Sequence, residues 1–179
     1  NVFRPADGVE TAECWALAMA ASDRPSILAL TRQAVANLRT KHTADNLSAK
    51  GAYVLQDTKK RDVTLLATGS EVTLAAEAAT LLAAQGISAA VVSLPSFELF
   101  RAQPAAYRNK VLGTAPRIAI EAGIMQGWHE WLRPAMPGSA GDAFIGMHGF
   151  GASAPAPKLF EHFGITTAKV VETAKKLVR

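Results

Sequence analysis

Residues 63–94 read VTLLATGSEVTLAAEAATLLAAQGISAAVVSL, and this stretch decides the fold class. Val63–Ala67 is a short, largely apolar run with the length of a buried strand. Thr68-Gly69-Ser70 turns the chain, and Ser70 is expected to cap a helix that reaches Gln85. Gly86 suits the position just after a helix, and Ala89–Leu94 is a second apolar strand. A strand, a helix and a strand within about 32 residues predict a crossover between parallel strands.

Downstream of this unit, strands and helices continue to alternate. Short helices are expected to open at Pro95-Ser96 and at Pro104, because proline suits the first turn of a helix. The further elements predicted are a strand at Arg117–Glu121, a helix at Met125–Leu132, a short strand at Phe144-Ile145, and helices at Pro157–Phe163 and Thr167–Val178. The alternation predicts a three-layer α/β domain.

Upstream, the first residues resemble a second and incomplete α/β unit. Asn1–Arg4 is predicted to be a strand, and Asp7 is expected to cap a helix, with Glu10 at the acidic position of a capping-box-like start. That helix should run to about Ala21, and Ser26–Leu30 is predicted to be a buried strand. The chain has no initiator methionine and no signal peptide, so it is expected to be a fragment that begins inside a domain.

A polar, irregular stretch separates the two units. Residues 34–61 hold few apolar runs, and Ala52–Gln56 is the one short strand expected within them. The domain boundary is therefore placed between residues 45 and 46. Residues 1–45 form the end of one domain, and residues 46–179 form a complete second domain.

Composition excludes several classes of protein. Hydrophobic residues make up 49% of the chain and charged residues 19%, so it can bury a core. No apolar run approaches the roughly 20 residues needed to span a bilayer. The single cysteine, Cys14, excludes an internal disulfide, favours a reducing cytoplasm, and is expected to be a buried hydrophobe rather than a nucleophile. A net charge of +4 is weak evidence for nucleic acid, so neither nucleic acid nor a membrane is expected as a partner.

Two strand ends carry residues that could bind a ligand. Thr31-Arg32-Gln33 follows a predicted strand, and an arginine there could bind a phosphate or carboxylate through two parallel hydrogen bonds, or could form an interdomain salt bridge. Thr68-Gly69-Ser70-Glu71 opens a helix whose N-terminus favours anions, but it matches no phosphate-binding loop, and Glu71 would repel a phosphate. It is therefore more simply interpreted as a tight strand–helix turn.

No metal site is predicted. The four histidines lack the spacing of a metal-binding pair on one helix; they are His42, His129, His148 and His162. Trp128, Glu130 and Trp131 surround His129, and that cluster could line a pocket but is more typical of packing or of an interface.

Several strings together resemble transketolases. The strings are Phe3-Arg4-Pro5-Ala6-Asp7 with Glu10, Leu30-Thr31-Arg32-Gln33, Lys50-Gly51-Ala52-Tyr53-Val54-Leu55, Ala67-Thr68-Gly69-Ser70-Glu71-Val72, Val92-Ser93-Leu94-Pro95, and Phe150-Gly151-Ala152-Ser153-Ala154-Pro155-Ala156 with Phe163-Gly164. They cover nearly the whole chain and occur in the order that the family has. Each string alone is weak evidence, whereas the set is specific.

The resemblance implies a parent of three domains. The first binds the diphosphate of thiamine diphosphate with a divalent metal, Mg or Ca, and the middle one binds the pyrimidine ring. The last is an α/β domain with a mostly parallel, mixed sheet of about five strands. Residues 1–45 would be the end of the pyrimidine-binding domain, a βαβ remnant, and residues 46–179 would be the transketolase C-terminal domain.

The resemblance also implies the reaction, which is transfer of a two-carbon ketol unit between sugar phosphates in the pentose phosphate pathway. Arg32 matches the arginine that binds the substrate phosphate, and Gln33 beside it is carried over as a second substrate-binding residue. The metal motif, the catalytic glutamate and the substrate-binding histidines of the family are absent. The chain is therefore expected to hold no catalytic, cofactor-binding or metal-binding residue, to bind no cofactor alone, and to support the homodimer of a cytoplasmic parent.

Two alternatives are left open. The chain could belong to a related thiamine diphosphate enzyme, either a deoxyxylulose phosphate synthase or the β subunit of an α-ketoacid dehydrogenase. It could also be a free-standing regulatory domain that binds an anion or a nucleotide at the Gly69-Ser70 turn. The Thr-Arg-Gln string favours transketolase over the first alternative, because a sugar-phosphate substrate needs that arginine.

Overall fold

The computed structural model describes residues 1–137 and 141–178. In this part of the chain, strands and helices alternate as the sequence predicts. In chain order the elements are β1 (Val2–Phe3), α1 (Gly8–Ala20), β2 (Ile27–Leu28), a 3₁₀ helix (Leu47–Lys50), β3 (Tyr53–Gln56), β4 (Val63–Ala67), α2 (Glu71–Ala83), β5 (Ala89–Ser93), α3 (Phe97–Arg101), α4 (Ala105–Leu112), β6 (Arg117–Ile124), a second 3₁₀ helix (Trp128–Glu130), β7 (Ala143–Met147), α5 (Ala156–His162) and α6 (Thr167–Leu177).

The main sheet has five strands in the order β3-β5-β4-β6-β7. β5 and β6 pair parallel with β4 on either side of it, and β7 pairs parallel with β6. Only β3 is antiparallel, at the edge beside β5. The predicted sheet of about five mostly parallel strands is therefore confirmed, and the quoted βαβ unit (β4, α2, β5) lies at its centre.

Alternate residues of the central strands face two separate cores. Leu65 of β4 packs with α2 and α6 on one face of the sheet. Leu66, its neighbour, packs on the opposite face with Phe100, Trp128 and the end of α4. Side chains of successive strand residues point to opposite faces, so a strand buried on both sides needs apolar residues at nearly every position. Helices on both faces make the predicted three layers.

The N-terminal elements form a small sheet of their own beside this domain. β1 and β2 make a two-stranded parallel sheet, joined by α1. The two strands have two residues each, shorter than the Asn1–Arg4 and Ser26–Leu30 strands that the sequence predicts. Six large apolar side chains in this segment are exposed, namely Val2, Val9, Trp15, Met19, Ile27 and Leu30. Exposed apolar side chains of this kind are what a fragment that begins inside a domain is expected to show.

The two predicted helix caps differ in outcome. Asp7 caps α1 as predicted, since its Oδ1 accepts a hydrogen bond from the Glu10 amide at 2.9 Å. Ser70 occupies the N-cap position of α2 as predicted, but its side chain makes no capping hydrogen bond. The Ser70 hydroxyl instead donates to the Glu71 carboxylate at 2.9 Å, because a charged acceptor one residue away competes with the backbone amides.

The predicted helix over residues 125–132 is only a short 3₁₀ helix. β6 extends to Ile124, three residues further than expected, and Gly127 then takes a left-handed conformation with φ 89°. That reversal leaves room for only Trp128–Glu130 to wind before the chain turns away. Gly86 follows the end of α2 with φ 78°, as the sequence predicts.

The helices are all too short or too polar to cross a bilayer. Among the described residues, no helix qualifies as a candidate membrane span.

Gly51 should be the costliest glycine to replace. It has φ 75°, and a Cβ there would overlap backbone atoms of Ser96 and Phe100 and lie 2.7 Å from the Leu99 carbonyl carbon. We expect Gly51→Ala to lower the free energy of unfolding by about 2–5 kcal/mol, from left-handed strain plus the overlap. Gly86→Ala is the matched control, because Gly86 has φ 78° and an open surrounding. It should cost about 1–2 kcal/mol in the same urea denaturation experiment. Equal losses in the two variants would show that the overlap relaxes freely.

Candidate functional site

The order of strands places a crevice between β4 and β6. The chain leaves β4 for β5 on one side, then crosses to β6 on the other, so the connections run in opposite directions from this point. In open α/β sheets, ligands bind outside the carboxyl ends of the strands at such a reversal. Here the crevice lies beside Thr68, which follows β4, and Glu121, within β6.

The crevice is occupied by Arg4 from the N-terminal unit. The Arg4 amide donates to the Pro95 carbonyl at 2.8 Å, and the Arg4 carbonyl accepts from the Gly69 amide at 2.9 Å. Its backbone therefore bridges the ends of β5 and β4. Its guanidinium contacts two carboxylates, Glu71 with Nη2 to Oε2 at 3.4 Å, and Glu121 through Nη1.

Both carboxylates are buried and have further hydrogen-bond donors. Glu71 is 1% exposed and accepts the Ser70 hydroxyl. Glu121 accepts the Thr68 hydroxyl at 3.1 Å and the indole N–H of Trp128. Burial raises the pKa of Glu71, and the nearby Arg4 charge opposes that rise. Two carboxylates around one guanidinium give the crevice an acidic lining, which repels phosphate and so argues against an anion or nucleotide at the Gly69-Ser70 turn.

A third buried carboxylate, Glu10, joins the two units. Glu10, on α1, is 1% exposed and accepts the Tyr53 hydroxyl, the Ser93 hydroxyl and the Ala6 amide, each at 2.6 Å. Tyr53 lies on β3 and Ser93 on β5, so α1 is tied to two strands of the main sheet. Burial raises the pKa of Glu10 although these hydrogen bonds oppose the rise. Three donors are what a carboxylate in this position needs to remain buried.

Another carboxylate, Glu13, holds in place the chain segment that connects the two units. It accepts the Ser48 hydroxyl at 2.7 Å and pairs with Arg39 at 2.7 Å. Burial opposes ionisation here, but the hydrogen bonds from Arg39 and Ser48 hold the pKa of Glu13 below its usual value. Cys14, the next residue, is fully buried, and burial raises the pKa of its thiol to about 12. A thiol with that pKa stays protonated, as expected of a packing residue.

The predicted substrate-binding residues lie on a loop after β2. Arg32 is exposed, and it makes no hydrogen bond or ion pair with any described residue. The alternative predicted for Arg32, an interdomain salt bridge, is therefore not formed with any described residue. Arg4 instead makes the ion pairs between the N-terminal unit and the main domain. Gln33 is exposed too, and its Nε2 donates to the Ser70 hydroxyl at 3.4 Å.

This loop borders a cavity of about 540 Å³. Leu30, Thr31 and Gln33 line one side, whereas Ser70, Glu71 and Phe160 belong to the opposite side. The cavity therefore lies between the N-terminal unit and the main domain. Arg32 is not among its lining residues, so its side chain is free to contact a ligand outside the cavity.

Sequence reasoning brought the Arg32 loop and the Ser70 turn to attention but missed the residues that join the units. Arg4, Glu10 and Glu121 have no sequence spacing that links them, because their contacts run between segments far apart in the chain. The one available signal was a charged residue at the end of two predicted strands, Asn1–Arg4 and Arg117–Glu121, and it does not apply to Glu10.

The remaining candidates are structural. Trp128 and Trp131 are buried and pack on Phe97 and Phe100, with ring centroids 5.0 Å apart for Phe97–Trp128 and 4.8 Å for Phe100–Trp131. The packing interpretation of this cluster holds for both indoles. Within residues 1–137 and 141–178, no three His, Cys, Asp or Glu side chains are grouped so as to hold a metal ion.

Replacement of Arg4 should show how far its guanidinium offsets the free-energy cost of burying Glu71 and Glu121. Arg4→Met leaves Glu71 and Glu121 without their cation, and we expect a loss of about 2–4 kcal/mol at pH 8 in urea denaturation. Without the guanidinium, the pKa of Glu71 rises further above its ordinary value of 4.5, so the folded state binds more protons than the unfolded state. Stability of the variant therefore increases as the pH falls toward 4.5, and the loss relative to wild type should be smaller at pH 5.

The matched control is Arg24→Met. Arg24 pairs with Asp23, but both side chains are more than half exposed. Such a pair contributes little to stability, so the loss should be much smaller than for Arg4→Met at pH 8 and should not depend on pH. A loss for Arg4→Met that is equally small, or that grows as the pH falls, would contradict the role given to the buried carboxylates.

Comparisons with known proteins agree with this architecture. A family model described as the transketolase-like TK C-terminal domain matches residues 51–166. The chain is 56% identical over 177 residues to the transketolase of Cereibacter sphaeroides, covering 99% of this chain and 26% of that protein. It is 55% identical over 181 residues to the transketolase of Sinorhizobium medicae, covering 100% of this chain and 25% of that protein.

A solved structure, transketolase from Leishmania mexicana, superposes with a TM-score of 0.86 at 37% identity. That alignment covers 99% of this chain and 25% of the other. The chain thus spans about a quarter of the length of the transketolases it matches. With residues 51–166 matched to the C-terminal domain and nearly every residue aligned to these relatives, the chain belongs to the transketolase family and corresponds to its C-terminal part.

Proposed function

We propose that this chain is the C-terminal segment of a transketolase, in which it supplies part of the substrate site and no catalytic group. The observation that carries the proposal is Arg32, an exposed arginine at the carboxyl end of β2 that has no partner among the described residues. A guanidinium without an internal partner retains its full fork of donors for a phosphate. Gln33 follows as a neutral donor on the same loop. Sugar phosphates are the substrates that this arrangement fits.

The two units have different places in the proposal. Residues 1–45 would complete the pyrimidine-binding domain, and residues 46–179 would form the C-terminal domain. The exposed apolar side chains of the first unit, Trp15, Met19 and Ile27 among them, support an incomplete domain, since exposed apolar clusters mark surfaces that normally pack against protein. A homodimer of the complete enzyme in the cytoplasm belongs to the same proposal.

Thiamine diphosphate and its divalent metal do not fit the described residues. A hard divalent cation needs a set of oxygen ligands, and the described acidic side chains are not grouped to provide one. The buried carboxylates near the crevice are instead committed to Arg4, Thr68 and Trp128. The electron sink that the cofactor supplies would be held by residues outside this chain. This chain's own contribution is to bind and orient the substrate phosphate.

Arg32 is tested by its selectivity for phosphorylated substrates. We propose a chimera in which this chain replaces the matching segment of the Cereibacter sphaeroides transketolase. Arg32→Ala should lower kcat/KM for a phosphorylated ketose roughly 30- to 800-fold. This corresponds to a loss of about 2–4 kcal/mol of transition-state stabilisation, because a charged hydrogen-bond partner is removed. A ketose without phosphate should change little. The control is Lys59→Ala, which removes an exposed cation from a loop of the main domain. Equal losses for the two ketoses would contradict the phosphate role.

The 179-residue chain alone should neither bind the cofactor nor turn over sugar phosphates. We expect isothermal titration with thiamine diphosphate and Mg²⁺ to show no saturable binding in the micromolar range, because the ligands for both lie elsewhere. Micromolar binding by the chain, or ketol transfer by it, would contradict the proposed division of roles.

A further inference from the structure

The loop that carries Arg32 has little internal support. β2 ends with the hydrogen bond from the Ala29 amide to the Phe3 carbonyl at 2.8 Å. The chain is next held at Leu38, whose amide donates to Asp7 at 3.0 Å. For residues 30–37, the structure shows one hydrogen bond to another described residue, from Gln33 Nε2 to Ser70 Oγ at 3.4 Å. The position of Arg32 therefore depends strongly on one contact with the other unit.

Ser70 is suited to accept this contact. Its hydroxyl donates to Glu71 Oε1 at 2.9 Å, and it makes no capping bond to the helix. A serine hydroxyl has one proton and two lone pairs, so donation to Glu71 leaves the lone pairs for Gln33. Glu71 is buried and paired with Arg4, so its carboxylate holds the Ser70 hydroxyl in one orientation.

We propose that Ser70, at the start of α2, is a positioning residue for the substrate loop (residues 30–37), acting through Gln33. The contacts Gln33–Ser70–Glu71–Arg4 then connect the acidic crevice of the C-terminal domain to the arginine that binds the phosphate. This inference rests on the proposed function of Arg32. It gives Gln33 a role beyond substrate contact, as the link through which the C-terminal domain influences substrate selectivity.

The physical effect is one of preorganisation. A loop without its anchor samples more conformations, and binding a phosphate through Arg32 must then restrict them. One neutral hydrogen bond of this length corresponds to about a three- to five-fold change in affinity. The penalty applies to substrates that use Arg32 and leaves substrates without a phosphate unaffected.

The first test measures the anchor itself on the 179-residue chain. Trypsin cleaves after Arg32, and its rate follows the population of open loop conformations. Ser70→Ala should accelerate cleavage of the Arg32–Gln33 bond about three- to five-fold, as followed by intact mass. Ser70→Thr keeps the hydroxyl and should restore the wild-type rate. Thr80→Ala is the control, because it removes a hydroxyl from α2 that bonds only the Ala76 carbonyl. An unchanged cleavage rate in Ser70→Ala overturns the inference.

The second test measures substrate selectivity in the chimeric enzyme. Ser70→Ala should raise KM for a phosphorylated ketose about three- to five-fold, with kcat little changed, and Gln33→Ala should raise it at least as much because it also removes a donor to the substrate. The double variant should lose no more than Gln33→Ala alone, since the contact that Ser70→Ala removes is already lost there. KM for a ketose without phosphate should stay constant. Additive losses in the double variant overturn the inference.

The two tests separate failure of the inference from failure of the proposed function. Faster cleavage together with a phosphate-selective rise in KM supports both. Faster cleavage with equal effects on the two ketoses keeps Ser70 as the loop anchor but overturns its role in substrate selectivity, and the Arg32→Ala comparison then decides the phosphate role of Arg32. Unchanged cleavage overturns the anchor, while the Arg32→Ala comparison still decides the proposed function independently.

Discussion

The structure depends on one partly buried cation between two buried acidic side chains. Arg4 enters the crevice at the carboxyl ends of β4 and β6 and contacts Glu71 and Glu121. Either carboxylate alone in that place would face the cost of removing a charge from water, and the guanidinium reduces that cost for both. Its backbone also bonds to the loops after β4 and β5. The N-terminal unit is therefore held at one defined position on the domain.

The rest of the junction follows the same principle. Glu10 connects α1 to β3 and β5, and Glu13 fixes the 3₁₀ helix that leads into the domain. Polar contacts depend on direction and distance, so a mismatched arrangement would leave buried groups without partners. An apolar junction would tolerate sliding much more readily. We infer that the buried carboxylates specify the relative position of the units more than they add to stability.

Filling the crevice has a functional consequence. The place where an open α/β sheet usually binds its ligand is used here for an internal arginine. We propose that the substrate contact comes from outside the crevice, through the unpaired Arg32 on the loop after β2. Through Ser70 and Gln33 this loop touches the first turn of α2. The C-terminal domain thereby lies next to the loop for which we propose the substrate contact.

The sequence by itself determined the elements and their order. Val63–Ala67 and Ala89–Leu94 are apolar at almost every position, and the helix between them ends at a glycine, so local pattern was sufficient for the parallel unit. The family strings, Thr31-Arg32-Gln33 among them, likewise predicted the loop for which we propose a substrate contact. Some local details were less well predicted. The helix expected at 125–132 is short because Gly127 reverses the chain, and the Ser70 side chain bonds to the Glu71 carboxylate and not to a backbone amide of α2.

Only the tertiary structure decided which charges meet. Arg4 and Glu121 lie 117 positions apart in the sequence, and Glu10 and Ser93 are 83 apart. No local periodicity connects residues at such separations, because their contact depends on the strand order β3-β5-β4-β6-β7 and on where the N-terminal unit packs against it. Sequence pattern reports how a residue suits its own helix or strand. The partner of a buried charge is set by the complete fold, since only there are the two groups removed from water together.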